Sequence, residues 1–177
     1  MTDGEAVRRV AEMLGGHLDQ LGVTWEPGTR RGELVASLPG ERKLRTVVSL
    51  LVRRRAVRVR AFVIRNPDEQ HLAVYTYLLR RNLRLPGLAY AVDASGDVYL
   101  TGQVPVRGLE AATLDELLGA VLSACDDPFN ELLALGFCSA IRTEWEWRTS
   151  RGESTANLEA FRHLLVSNDP AAQASAD

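Results

Sequence analysis

The sequence predicts an α+β fold, a five-stranded, mostly antiparallel sheet with helices packed on it. Three observations carry that prediction. Apolar residues recur at steps of three and four in 6–21, alternate with polar ones through much of 33–64, and return to helical spacing after 70. Turn pairs such as Pro39-Gly40 and Pro86-Gly87 punctuate the changes of period. No repeat or linker divides the 177 residues, a length that buries a core of its own. One domain over 1–166 is expected, followed by a small, polar, disordered tail over 167–177.

Taken in order, Val7, Val10, Leu14, Leu18 and Leu21 form one stripe of an amphipathic helix that Gly22 terminates. Val23–Glu26 is short. Glu33–Leu38, Leu44–Val52 and Ala56–Ile64 read as three strands of a meander, the last with valines on one face and Arg58 and Arg60 on the other. Asn66-Pro67-Asp68-Glu69 has the composition of a helix start, with Asn66 as cap and Glu69 three residues on. The stripe Leu72, Tyr75, Leu79, Leu83 is then expected inside, and Asn82 at a left-handed C-terminal position. A hairpin over Leu88–Val92 and Val98–Thr101 turns through Asp93-Ala-Ser-Gly-Asp97. Thr113-Leu-Asp-Glu116 reads as a capping box for a helix presenting Leu114, Leu117, Leu118, Val121, Leu122 and Cys125. Asp127-Pro128 kinks that helix or starts another, which runs to Gly136. Ile141, Thr143, Trp145 and Trp147 alternate with charged residues, which predicts a strand, while a helix would also place Ile141 and Trp145 on one face. A short helix capped by Ser154 or Thr155 follows, with Leu158, Phe161 and Leu165 inward.

Composition narrows the function classes. Nearly half the residues are apolar (46%) and a quarter charged (25%), as in ordinary globular domains. The start is polar and acidic, and no apolar run approaches the roughly 20 residues that cross a bilayer. A cytoplasmic protein is expected. Cys125 and Cys138 fall among apolar residues, where a free cysteine behaves as a small hydrophobe.

Candidate chemistry fails on spacing. Counted from Asp93, the twelfth position of a calcium loop is Val104, not the closing glutamate such a loop needs. His17, His71 and His163 lie on separate predicted helices without a second metal ligand at the required spacing. No phosphate loop or glycine-flanked nucleophile is present. The expectation is a protein without catalytic residues, cofactor or metal.

Two surfaces remain as candidates. The net charge of −2 is unevenly spread: residues 30–84 hold 14 Lys+Arg against 4 Asp+Glu, and all the basic residues but Lys43 are arginine. Arg53, Arg54, Arg55, Arg58 and Arg60 form the densest cluster, backed by Arg80, Arg81 and Arg84. It reads either as an anion-binding face for nucleic acid or an acidic partner, or as a solvated hairpin that prevents edge aggregation. The residues between these arginines are chiefly valine, not the stacking aromatics of single-strand binders. Trp145 and Trp147 would share one side of a strand, as interface anchors or as cover for the core.

The order helix, three strands, helix, two strands, helix, together with Leu38-Pro-Gly40, the run from Val74 to Leu85 and Ala91–Leu100, resembles the YbjN-domain family. The resemblance covers roughly 5–165. The Glu-Trp-Glu-Trp-Arg and Arg-Gly-Glu-Ser-Thr stretches resemble actinobacterial members. It implies a fold like that of the type III secretion chaperones, and a regulator or chaperone-like role with no catalytic residues to transfer. Those chaperones are dimers that bind extended segments of client proteins. The expected function is a homodimeric protein- or peptide-binding module, with nucleic-acid binding through Arg53–Arg60 as the alternative.

Overall fold

In the computed structural model, which describes residues 3–166, the element order begins as expected and then departs. Helix α1 (Asp3–Gln20) leads into β1 (Thr24–Pro27), β2 (Glu33–Pro39), β3 (Arg45–Val52) and β4 (Ala56–Ile64). Helix α2 (His71–Asn82) precedes β5 (Leu88–Val92) and β6 (Val98–Pro105), and α3 (Ala111–Asp126), α4 (Phe129–Gly136), α5 (Cys138–Arg151), a 3-10 turn (Ala156–Phe161) and α6 (His163–Val166) complete the described chain. The sheet has six strands, not five, in the order β1-β2-β3-β4-β6-β5, with every pair antiparallel. The extra strand is the short segment after Gly22, which pairs through Trp25↔Ala36. Four residues are too few to show a period, so only the partner strand reveals it. The tail expected over 167–177 lies outside the described residues.

Strand alternation sets the layers. Leu34, Ala36 and Leu38 of β2, Val48 and Leu50 of β3, Val57, Val59 and Ala61 of β4, and Val98 and Leu100 of β6 are buried on one face. Leu14 and Leu18 of α1 and Leu114, Leu118 and Val121 of α3 are buried in the same core, so the helices cover that face. His17 Nε2, 2.7 Å from Asp115 Oδ1, ties the two helices together. On the other face Val47, Arg58, Arg60 and Phe62 are exposed. Helix α1 stops as expected: Gly22 (φ 67°) donates to Asp19 O and Val23 to Leu18 O, the paired bonds of a left-handed glycine cap.

Four expectations fail, two of them because a polar side chain bonds distant backbone and not its own helix. The segment Asn66–Glu69 is not helical, and α2 starts at His71 behind Gln70, whose φ of 53° is left-handed. Glu69 accepts from Ser139 N (2.6 Å) and so caps α5, 70 residues away. Asn82 is helical; its Oδ1 accepts from Tyr90 N (2.8 Å), which closes the free edge of β5. Thr113 is no capping residue, since α3 already begins at Ala111. The expected strand around Trp145 is helix α5, ended by Gly152 (φ 67°) and braced by Glu144–Arg148 at 2.6 Å. The neighbouring expectations hold: the Asp93–Asp97 turn forms, and Asp127-Pro128 separates α3 from α4. Leu158 and Phe161 are buried beneath the C-terminal turn.

Candidate functional site

The basic cluster divides in two. Arg53, Arg54 and Arg55 occupy the β3–β4 tip, fully in solvent. Bonds from Val52 N to Gly32 O (2.8 Å) and from Val106 N to Arg55 O (3.0 Å) bring the β1–β2 turn and the loop after β6 beside that tip. Exposed Arg31 and Arg107 therefore join it, two residues the linear pattern did not connect. Only Arg54 of these five has an ion pair among the described residues, with Asp3 at 3.6 Å. Arg58 and Arg60 lie on the open sheet face, where Arg60 stacks on Tyr99 (3.8 Å) and sits 3.6 Å from Asp93.

The tryptophans do not form one surface. Two residues apart on a helix they point about 200° away from one another. Trp145 is half-buried, and Trp147 is exposed with Arg151 over its ring at 4.5 Å.

Cys125 is buried and Cys138 partly so, both free. Burial pushes the Cys125 thiol up to about 11, which keeps it protonated at neutral pH. Among the described residues no group of three His, Cys, Asp or Glu side chains could hold a metal ion. No helix there is long and apolar enough to cross a membrane.

Helix α2 carries what the sequence reading missed. Its buried residues are Val74 and Leu78. Of the stripe expected inside, Tyr75 packs against the core, whereas Leu72 (82% exposed), Leu79 (64%) and Leu83 (88%) face out. This helix is apolar on two sides, so periodicity alone could not decide which one meets the sheet. A neighbouring side of α2 borders an open groove of about 980 Å³ toward α3 and α4. Small residues make the space: Ala73 on α2 opposes Ala120, Ser123 and Ala124 on α3. Arg80, Arg81 and Arg84 line the α2 wall, and Asp127 and Glu131 the other. Arg81 donates to Tyr77 OH (3.4 Å), but its Nε is buried without a partner. An unmet buried donor costs about 1–3 kcal/mol, more when charged. Thr46 Oγ1 is the one other buried side-chain polar atom among the described residues in that condition.

A junction between the 40–43 loop, the end of α3 and β4 holds the scaffold. Gly40 has no room for a side chain, since a Cβ would lie 2.3 Å from Asp126 Oδ1 and from Lys43 O. Buried Asp126 accepts from Arg42 N (3.0 Å) and Lys43 N (2.8 Å). Lys43 in turn donates to the carbonyls of Phe62 and Val63, where β4 bulges and its pairing with β3 has ended at Val48↔Ala61. Burial lowers its pKa.

Comparison with known proteins agrees with this architecture. Residues 11–134 match the YbjN family, described as "Putative bacterial sensory transduction regulator". Uncharacterized protein Rv0487 of Mycobacterium tuberculosis is 50% identical over 147 residues, 83% of this chain and 80% of that protein. A chain from the crystal structure of the ExsC-ExsE complex superposes with TM-score 0.54 at 18% identity, covering 71% of this chain and 95% of that one. The Yersinia pestis type III secretion chaperone SycH, solved with a fragment of YscM2, matches with TM-score 0.45 at 16% identity over 71% of this chain and 98% of that one.

Proposed function

This chain belongs to the YbjN family, and from that premise we propose that it is a non-enzymatic, homodimeric module that binds a protein or peptide client in a chaperone-like or regulatory role. The observation that carries the reading is the apolar ridge Leu72, Leu79 and Leu83 on α2, mostly in solvent beside an open groove. Two leucines of α2 and its C-cap Leu83 align on one side and stand mostly in solvent, and exposed apolar patches of that kind mark protein contacts. The likeness to a chain crystallised in the ExsC-ExsE complex supports the same direction at the level of fold alone.

Light scattering during size exclusion tests the homodimer. The full chain is expected at twice its 19.5 kDa, and Leu79→Glu with Leu83→Glu at 19.5 kDa with unchanged circular dichroism. A wild-type monomer at about 100 μM, a concentration that populates contacts of that affinity class, would overturn it. Client binding is tested by capture from lysate with wild-type and ridge variant in parallel. Recovery of the same general chaperones by both counts against the client.

A second reading rests on the convergence of Arg31, Arg53, Arg54, Arg55 and Arg107 at one end of the sheet: nucleic-acid binding through phosphate contacts. Such binding weakens steeply with salt. A gel-shift at low salt without retardation removes it.

A further inference from the structure

We propose that the groove between α2 and α3–α4 takes an amphipathic helical segment of the client that carries a carboxylate along the edge of its apolar face. This inference rests on the protein-binding reading and adds where the client sits and what it must present.

The argument starts from shape. The groove runs beside a 12-residue helix, about 18 Å long at 1.5 Å per residue, and opens to solvent along its length. That matches two to three turns of a second helix laid alongside, the arrangement in which apolar residues at i, i+3, i+4 and i+7 enter a groove. The small residues Ala73, Ala120 and Ala124 leave room for larger apolar side chains to enter between α2 and α3.

Charge gives the ligand its chemistry. The side chains of Arg80 and Arg84 make no hydrogen bond or ion pair among the described residues, whereas Arg81 is held by the hydroxyls of Tyr77 (3.4 Å) and Tyr90. Three cations therefore line one wall, two of them wholly uncommitted. On the opposite wall Asp127 is engaged by Arg42 (3.5 Å), which leaves Glu131 as the uncommitted anion. The balance favours an acidic guest. A carboxylate can meet an exposed guanidinium through two nitrogens together, a pairing that the Arg80 and Arg84 side chains are free to make.

The test titrates the full chain into two fluorescein-labelled helical peptides of about 16 residues that share one leucine-alanine face at this spacing. One carries glutamates along the edge of that face, the other lysines. The glutamate peptide is expected to bind at least about tenfold more tightly, with the difference shrinking as salt rises. Arg84→Gln and Arg81→Gln are expected to reduce that preference. Ser123→Phe, at an exposed position on the groove wall, is expected to abolish binding of both peptides. Equal affinity for the two peptides, no binding of either at about 1 mM, or full binding by Ser123→Phe would overturn the proposal. Conversion of the dimer to a monomer by Ser123→Phe would also overturn it, because the occupant would then be a second copy. Arg84→Gln keeps the test decisive if another variant fails to fold, since its side chain is exposed. If the peptides fail while light scattering still gives a dimer and capture still returns a ridge-dependent client, the groove assignment falls and the binding module stands.

Discussion

The sheet and the helical layer of this protein are held by different chemistry. In the sheet, ladder hydrogen bonds and a buried, alternating apolar face hold β2, β3, β4 and the β5–β6 pair. In the helical layer, single polar side chains reach across the chain: Asp126 to Arg42 and Lys43, Glu69 to Ser139, Asn82 to Tyr90, His17 to Asp115. A ladder spreads its stability over many bonds, so one residue matters little. A lone carboxylate holding a loop concentrates it. The helical layer is also where the groove and the leucine ridge lie, so the side of the molecule proposed to bind is the one built from separate contacts.

The largest effect expected from that contrast is at Asp126. Asp126→Ala removes two backbone bonds to a buried charge and should cost about 3 kcal/mol, a fall in melting temperature of roughly 6–12 °C for a chain this size. A fall under about 2 °C would mean that the 41–43 loop is held by something else. Gly40→Ala should act through the same junction, by about 2 kcal/mol, because its methyl would meet both the Asp126 carboxylate and the Lys43 carbonyl. The double variant should cost less than the sum of the two, since losing the carboxylate removes one clash and releases the 41–43 loop whose Lys43 carbonyl makes the other. Simple additivity would break the idea of a shared junction.

The same contrast explains what could be read in advance. Strands β2 to β4 and the β5–β6 hairpin were legible because period and turn residues are local signals, and Gly96 (φ 86°) sits where the turn needs it. The three helices with one apolar stripe, α1, α3 and the α4 segment, were legible too. What stayed hidden depends on partners far along the chain. Glu69 looks like a cap for α2 until Ser139 is known to lie beside it. Leu72, Leu79 and Leu83 look like core until Val74 and Leu78 are seen to face the sheet. Trp145 and Trp147 sit in a run of alternating polarity that a helix braced by Glu144–Arg148 also accommodates. The candidate site was the least legible part, because a groove belongs to two helices and no spacing within one of them describes it. Gly152 was an overlooked signal, since a glycine after a run of 14 residues stops a helix more often than it ends a strand.

Smaller effects sharpen the comparison from each side. Glu69→Ala should cost about 1 kcal/mol as a lost helix cap, and hydrogen exchange should place the loss in α5, leaving β2–β4 protected as before. Uniform loss of protection would show that α5 is not a separable unit. Glu33 is the sheet's own exception, a buried strand residue held by side chains. Its carboxylate accepts from Arg30 (2.5 Å) and Ser49 (2.6 Å), and these bonds lower its pKa to about 2. A depressed carboxylate adds stability that is present above its unfolded value near 4.3 and lost as pH falls toward about 2. Glu33→Gln should therefore flatten the dependence of melting temperature on pH in that window and lower stability at neutral pH. An unchanged acid limb would show that the pair is open in solution.

The smallest stability effect is expected at the hairpin tip, and its smallness is what makes it informative. Arg53, Arg54 and Arg55 stand in solvent beyond the last ladder bond, and the Arg54–Asp3 pair, 68% and 73% exposed, belongs to a class worth about 0–1 kcal/mol. Replacing all three by serine should leave the melting temperature within about 2 °C, as expected of exposed substitutions within about 0.5 kcal/mol. Any anion bound at this end should then be lost without a change in fold. If the triple variant loses a low-salt nucleic-acid shift while keeping its melting temperature, the tip acts in binding. If its melting temperature falls by about 5 °C or more, the arginines support the fold, and the sheet too relies on single side chains at its end.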